Sequence, residues 1–222
     1  MVKDINFMKI FLDTAETDLI HQYFATGLID GITTNPSLIR KSGKNPEDVY
    51  EDLKDLGVRD ISMEVVGDAK EMYTEGKRLA KKFGDCCTVK VPCTPDGLLA
   101  CRNLSREVVK VNVTLIFSQV QAILAAKAGA KYVSPFVGRV DDNSFGGLCL
   151  VKDIVNLYKE QMVTTQVLAA SLRGVRDVGR AFEYGADVVT MPTGVFEGMY
   201  NHILTDKGLA QFDQDYAASV KE

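Results

Sequence analysis

The chain has 222 residues, of which 46% are hydrophobic and 25% charged, and its formal net charge is −4. That length supports one sizeable core and the composition is that of an ordinary globular protein. The acidic balance argues against nucleic acid or an anionic membrane surface as partner, and leaves any basic patch local, on the scale of a small anionic ligand. No apolar run reaches the ~20 residues of a membrane span, and MVKDINFMKIFLD lacks the apolar core of a signal peptide. Five cysteines (Cys86, Cys87, Cys93, Cys101, Cys149) form no Cys-x-x-Cys pair, and read as reduced thiols of a cytoplasmic protein, mostly core filler. The two histidines, His21 and His202, lie in helix-like stretches and read as structural, so no metal site and no cofactor are expected.

Residues 1–7 read as a tail. The strand 8–13 follows, then a helix 15–26 that Thr14 caps and Gly27 ends. A second strand over 28–34 leads through an Asn-Pro-Ser turn to a helix over 46–56, and a third over 59–66 to a helix over 68–82. Strand 88–92 precedes a helix over 95–106, and strand 108–117 precedes one over 118–129. Strand 131–136 runs into a glycine-rich loop and a helix over 147–160. Strand 164–171 precedes a helix over 173–185, and strand 187–192 a helix that starts near Thr193 and is complete near Leu204. Helix, glycine and strand recur as AGAKYV (128–133) and YGADVV (184–189), a faint internal repeat. Eight strand–helix units with no dinucleotide-type glycine fingerprint predict a closed (β/α)8 barrel, and the absence of a linker predicts one domain over 1–222. The remaining segment, 205–222, repeats Leu209, Phe212 and Tyr216 at helical spacing, an apolar stripe that a closed barrel does not need for its own core.

A barrel of this kind keeps its site at the C-terminal ends of the strands. Those ends carry Asp13, Thr33-Thr34-Asn35, Glu64, Lys90, Asn112 with Thr114, Ser134 to Arg139, and Ser171 with Arg173. Taken singly, each has a plain structural explanation. Asp13-Thr14 reads equally as a helix cap, Arg173 as a solvated residue at a helix start, and Lys90 in TVKVP as a snorkelling residue of an edge strand. Their convergence on one rim turns Lys90 into a barrel-interior group. Burial disfavours the charged form of an amine, and a neutral amine can attack a carbonyl to form a Schiff base. Asp13 can then take a proton from a substrate hydroxyl, while Glu64 and Thr114 can hold a water that carries protons. The set suits class I aldol chemistry and lacks the glycine-lysine phosphate loop of phosphoryl transfer.

FLDTAE, GITTNPSLI, MEVVG, TVKVPCTPDGLLA, NVTLIFS, YVSPFVGRVDD, LAASLRG and GADVVTMP occur in this order over nearly the whole chain. In this the sequence resembles the small transaldolase family, the group shared with fructose-6-phosphate aldolase. The resemblance implies a TIM barrel with the Schiff-base lysine on strand 4, here Lys90, and Asp13 as the acid/base for the donor's C4 hydroxyl. It gives Glu64 and Thr114 the catalytic water, and Thr33, Asn35, Asn112 and Ser134 the substrate hydroxyls. Arg139, Ser171 and Arg173 form the implied phosphate clamp, for which two guanidinium groups and a hydroxyl are chemically apt. Glu64, Phe136 and Asn112 match the transaldolase branch, whereas the aldolase carries glutamine and tyrosine at the first two positions. Phenylalanine can neither donate a proton nor anchor a water. The implied reaction converts sedoheptulose 7-phosphate and glyceraldehyde 3-phosphate to erythrose 4-phosphate and fructose 6-phosphate in the pentose phosphate pathway. The alternatives are the aldolase and, from another class, a catalytically silent sugar-phosphate-binding barrel. Cys93 lies just after VKVP and is either packed and inert or, if exposed, sensitive to oxidation. The resemblance also implies a homo-oligomer, pentamers paired into decamers, with the C-terminal helix seated on a neighbouring subunit. The alternative is a helix folded back on its own barrel.

Overall fold

The computed structural model describes residues 8–220, so the tail read over 1–7 lies outside the described residues. Eight strands, β1 (Lys9–Asp13), β2 (Gly31–Thr33), β3 (Ile61–Glu64), β4 (Cys87–Pro92), β5 (Val111–Ile116), β6 (Tyr132–Pro135), β7 (Gln166–Ala169) and β8 (Val188–Met191), pair in parallel in chain order. β8 returns to β1 with Phe11 opposite Thr190 and Leu12 opposite Met191, which closes the barrel.

Closure gives each strand two buried faces of different character. Side chains alternate along a strand, and Leu12, Ile32, Met63, Val89, Val91, Val113, Val133 and Val189 belong to the core shared with the helices. The opposite set, with Phe11, Tyr132, Leu168 and Val188, fills the barrel interior as a separate cluster. Phe11 meets Tyr132 edge-on at 6.2 Å. Gly31 makes room for this layer, because a Cβ there would stand 2.7 Å from the Phe11 ring and 2.6 Å from the Asp60 carbonyl. Beneath it the carboxylate of Asp60 accepts from Tyr132 Oη at 2.9 Å and from Thr88 Oγ1 at 2.7 Å, satisfying polar groups that burial would otherwise penalise. Leu168 and Ala170 of this cluster reach the C-terminal end of the interior, where most of the other inward-facing residues are polar.

The helices are α1 (Thr17–Phe24), α2 (Pro36–Ser42), α3 (Pro46–Asp55), α4 (Ala69–Phe83), α5 (Pro95–Arg106), α6 (Gln119–Lys127), α7 (Val137–Asp142), α8 (Gly147–Glu160), α9 (Val175–Glu183), α10 (Thr193–Gly198) and α11 (Ile203–Ser219). Local sequence explains several starts. Asp68 and Glu71 form a capping box on α4, and Thr94 and Ser118 cap α5 and α6.

The structure corrects five local expectations. The Asn-Pro-Ser turn is the start of α2, where Asn35 Oδ1 accepts from Leu38 N at 3.0 Å and Pro36 occupies the first turn. The glycine-rich loop begins with α7, and Gly138 is needed there for close approach: a Cβ would meet the Ser171 carbonyl at 2.5 Å. Thr14 does not cap α1, which begins at Thr17; its hydroxyl accepts from Glu16 N, ahead of the helix. Strand 108–117 narrows to Val111–Ile116, because Val108 sits exposed at φ +63°. The eighth barrel helix ends at Gly198, short of Leu204, and the C-terminal helix starts at Ile203.

No residue of α11 is buried, and Leu209, Phe212 and Tyr216 are exposed, so the helix does not fold back on its own barrel. His202 caps it, its Nδ1 accepting from Leu204 N at 3.2 Å. All five cysteines are free thiols; Cys87 and Cys101 are buried and Cys149 is exposed. Cys93 is half-buried, and burial pushes its thiol above the ordinary range, away from the reactive thiolate.

Candidate active site

The same two-residue alternation that buries valines outward points Lys90, Asn112, Ser134 and Thr190 inward. Register then decides which of them meet: Glu64 lies opposite Lys90, Lys90 opposite Asn112, and Asp13 opposite Thr33. The Lys90 side chain is almost fully buried, and its Nζ stands 3.0 Å from Glu64 Oε2 and donates to the Thr34 carbonyl at 2.9 Å. The amine is therefore held by two acceptors on β3 and the end of β2, inside the ring.

Asp13 faces it from β1. Thr33 Oγ1 donates to Asp13 Oδ1 at 2.8 Å and lies 2.6 Å from Thr190 Oγ1. Burial pushes the Asp13 carboxyl above the ordinary carboxylate range, with the Glu64 charge adding to the rise; Lys90, the Thr33 hydrogen bond and Arg139 act against it. Such a group holds a proton more readily than a solvated aspartate, which suits an acid/base.

On the other side of the ring Asn112 is fixed by two neighbours, its Oδ1 accepting from Ser134 Oγ at 2.7 Å and its Nδ2 donating to Ser62 Oγ at 3.3 Å. Thr114 sits at an irregularity of β5, where the pairing with β6 shifts register and Leu115 adopts φ +59°. Its hydroxyl faces the cleft, two residues along from Asn112, buried and without a hydrogen-bond partner among the described residues. Phe136 bridges to Ala170, and the Arg139 guanidinium lies 4.9 Å from the centre of its ring. Ser171 adopts φ +58°, a backbone conformation uncommon for a non-glycine residue and frequent at functional sites.

One cleft, open at its mouth, brings together most of the expected site residues. Asp13, Thr33, Asn35 and Lys90 form one wall; Asn112, Thr114, Ser134 and Phe136 form the other; Arg139 and Ser171 stand at the mouth. Glu64 is set behind Lys90, touching its Nζ and not the cleft itself. Arg173 departs from the expected clamp geometry. It does not line the cleft, lies at the exposed rim, and makes a two-pronged ion pair with Asp142 at the end of α7. Thr190, Leu168 and Ala170 also line the cleft and were not anticipated. For Thr190 the signal was present in DVVTMP, whose alternation puts the hydroxyl on the face opposite Val189 and Met191.

A lysine, a carboxylate and an arginine thus converge at the C-terminal ends of the strands of a closed parallel barrel, the face on which barrel enzymes keep their sites. Residues 10–222 match the family described as Transaldolase/Fructose-6-phosphate aldolase. A protein of Nitrosopumilus maritimus named a probable transaldolase is 51% identical over 211 residues, covering 94% of this chain and 95% of its own. One of Caulobacter vibrioides with the same name is 49% identical over 213 residues, covering 96% and 98%. Among solved structures, a flavocytochrome b2 variant with sulfite bound superposes with a TM-score of 0.62 at 13% identity over 85% of this chain; the chain spans 57% of that protein, and the likeness concerns the barrel alone. The chain belongs to the transaldolase/fructose-6-phosphate aldolase family. Among the described residues no helix is long and apolar enough to cross a membrane.

Proposed function

We propose that this protein is a transaldolase, a transferase that carries a dihydroxyacetone unit between sugar phosphates on Lys90. The observation that carries the reading is the amine of Lys90 held at 3.0 Å from Glu64 within a cleft that Asp13 also faces. Lys90 Nζ, having passed one proton to Glu64, attacks the C2 carbonyl of a ketose phosphate to give a carbinolamine, which loses water to an iminium. Glu64 and Thr114 hold the water that carries protons in that step, and the unpartnered Thr114 hydroxyl supports this. Asp13 takes the proton of the C4 hydroxyl as the C3–C4 bond breaks, releasing an aldose phosphate and leaving a three-carbon enamine on Lys90. The enamine adds to the aldehyde of a second aldose phosphate, Asp13 returns the proton, and hydrolysis frees the new ketose phosphate and the lysine.

Thr33, Asn35, Asn112 and Ser134 orient the hydroxyls. Arg139 and Ser171 bind the phosphate at the mouth, and Arg173 joins them by exchanging Asp142 for phosphate oxygens. The transferase branch is supported by Phe136, which brings no hydroxyl to the enamine, and by Glu64 and Asn112. In this reading residues 1–222 form one domain of a cytoplasmic enzyme of the pentose phosphate pathway. It assembles as a homo-oligomer, pentamer or decamer, through α11, whose exposed Leu209, Phe212 and Tyr216 seat on a neighbouring copy.

The test is fructose 6-phosphate with and without erythrose 4-phosphate. Sustained glyceraldehyde 3-phosphate release only with the acceptor is expected. Sustained release of free dihydroxyacetone at the same rate without it would establish the aldolase instead, and no cleavage at all a silent binding barrel.

A further inference from the structure

We infer that Thr190 is a positioning residue, whose hydroxyl holds Thr33 as the hydrogen-bond partner of Asp13 in both protonation states of that carboxyl. The inference deepens the transaldolase reading and rests on Asp13 being its acid/base.

Three oxygens form a row across the seam that closes the barrel, from Thr190 on β8 through Thr33 on β2 to Asp13 on β1. Their separations, 2.6 and 2.8 Å, are those of ordinary O–H···O hydrogen bonds. Both threonines are 2% exposed, so water does not compete freely for either hydroxyl. An ionised carboxylate only accepts, and a hydroxyl has one proton to give. With Asp13 ionised, Thr33 spends its proton on Asp13, and the contact with Thr190 forms only if Thr190 donates to Thr33. With Asp13 protonated the row can reverse, Asp13 donating to Thr33 and Thr33 to Thr190. A hydroxyl at Thr190 serves both states, whereas an apolar side chain of the same shape serves neither. Because hydrogen bonds in a row polarise one another, the Thr190 donor strengthens the bond that Thr33 makes to the anion. Removing it leaves the carboxylate less well stabilised and more inclined to stay protonated.

The charged groups that face Asp13 are Lys90 from β4, Glu64 from β3 and Arg139 from α7. Thr190 is uncharged, so replacing it leaves all three in place and isolates the hydrogen-bond effect. Thr190→Val keeps the shape and is compatible with Leu168 and Ala170, which line the same cleft; Thr190→Ala is the fallback should the valine variant not fold.

The experiment is the pH profile of kcat/KM for the full-length enzyme, with Asp13→Ala measured alongside to identify the limb that belongs to Asp13. Thr190→Val should move that acid limb upward by several tenths of a pH unit, so that activity on the acid side falls roughly threefold while the plateau changes less. Thr190→Ser should restore the wild-type limb, borohydride trapping on Lys90 should persist in every Thr190 variant, and Thr190→Val should have no further effect when Asp13 is already alanine. Asp13→Ala impaired but the Thr190→Val limb unmoved would overturn the role of Thr190. Asp13→Ala near wild-type activity would overturn the underlying acid/base reading instead.

Discussion

Lys90→Met tests chemistry and energetics together. Methionine is unbranched and adaptable, so it fills much of the same space in the barrel while removing the nucleophile. The lysine ammonium lies 3.0 Å from Glu64 and 2.9 Å from the Thr34 carbonyl, and the two charged side chains are only 6% and 18% exposed. Removing one partner of a buried pair costs roughly 3–5 kcal/mol, because the other charge is left uncompensated. Glu64 keeps some contact with solvent, which places the expected loss nearer about 2–3 kcal/mol. For a chain of this size that corresponds to a fall in Tm of roughly 4–12 °C at fixed protein concentration. Lys90→Met/Glu64→Gln removes both charges and should recover at least about 1 kcal/mol relative to the sum of the single changes. Urea unfolding of the four proteins measures this coupling, and borohydride with fructose 6-phosphate measures the chemistry: a three-carbon adduct on Lys90 in the wild type, none in Lys90→Met. An adduct on another lysine would refute the assigned nucleophile. Strictly additive single and double variants would refute the claim that Glu64 depends on Lys90.

Asp13→Ala should still form the trapped adduct but cleave the substrate about 10²–10⁴-fold more slowly, the usual consequence of a lost general base; near-normal cleavage would make Asp13 a structural residue. Burial raises the Asp13 carboxyl, so the folded state binds this proton more tightly than the unfolded state. The corresponding stability is present below the unfolded carboxylate value and is lost as pH rises through the raised folded one. Asp13→Asn, which cannot ionise, should therefore raise Tm at pH near 8, with the gain shrinking toward pH near 4; a lower Tm at the alkaline end would contradict the burial argument. Phe136→Tyr combined with Glu64→Gln should increase release of free dihydroxyacetone relative to transfer, and an unchanged ratio would mean that these two positions do not separate the branches. Deleting residues 203–222 should leave a folded barrel of lower oligomeric state by light scattering, since α11 buries nothing on its own barrel; unchanged assembly would refute the role of its apolar stripe.

The sequence by itself determined the barrel and most of its rim. Runs such as VKVP and VNVT alternate valine with a polar residue, and in a strand covered by helices on one side that pattern has one low-energy solution, valines out to the helices and polar groups in to the ring. This is why Lys90, Asn112 and Thr114 could be placed before any coordinates, and why Thr190 was legible in principle. Short helices were less legible, because Asn35-Pro36 caps a helix with the same residues that open a turn, and α2 and α7 are only seven and six residues long. The tertiary structure alone decided contacts that cross the chain. Arg173 meets Asp142, 31 residues away, and the link from Thr190 to Thr33 spans 157 residues and exists only because β8 returns to β1. Local periodicity can say which face a side chain takes, but register around a closed ring decides which neighbour it finds there.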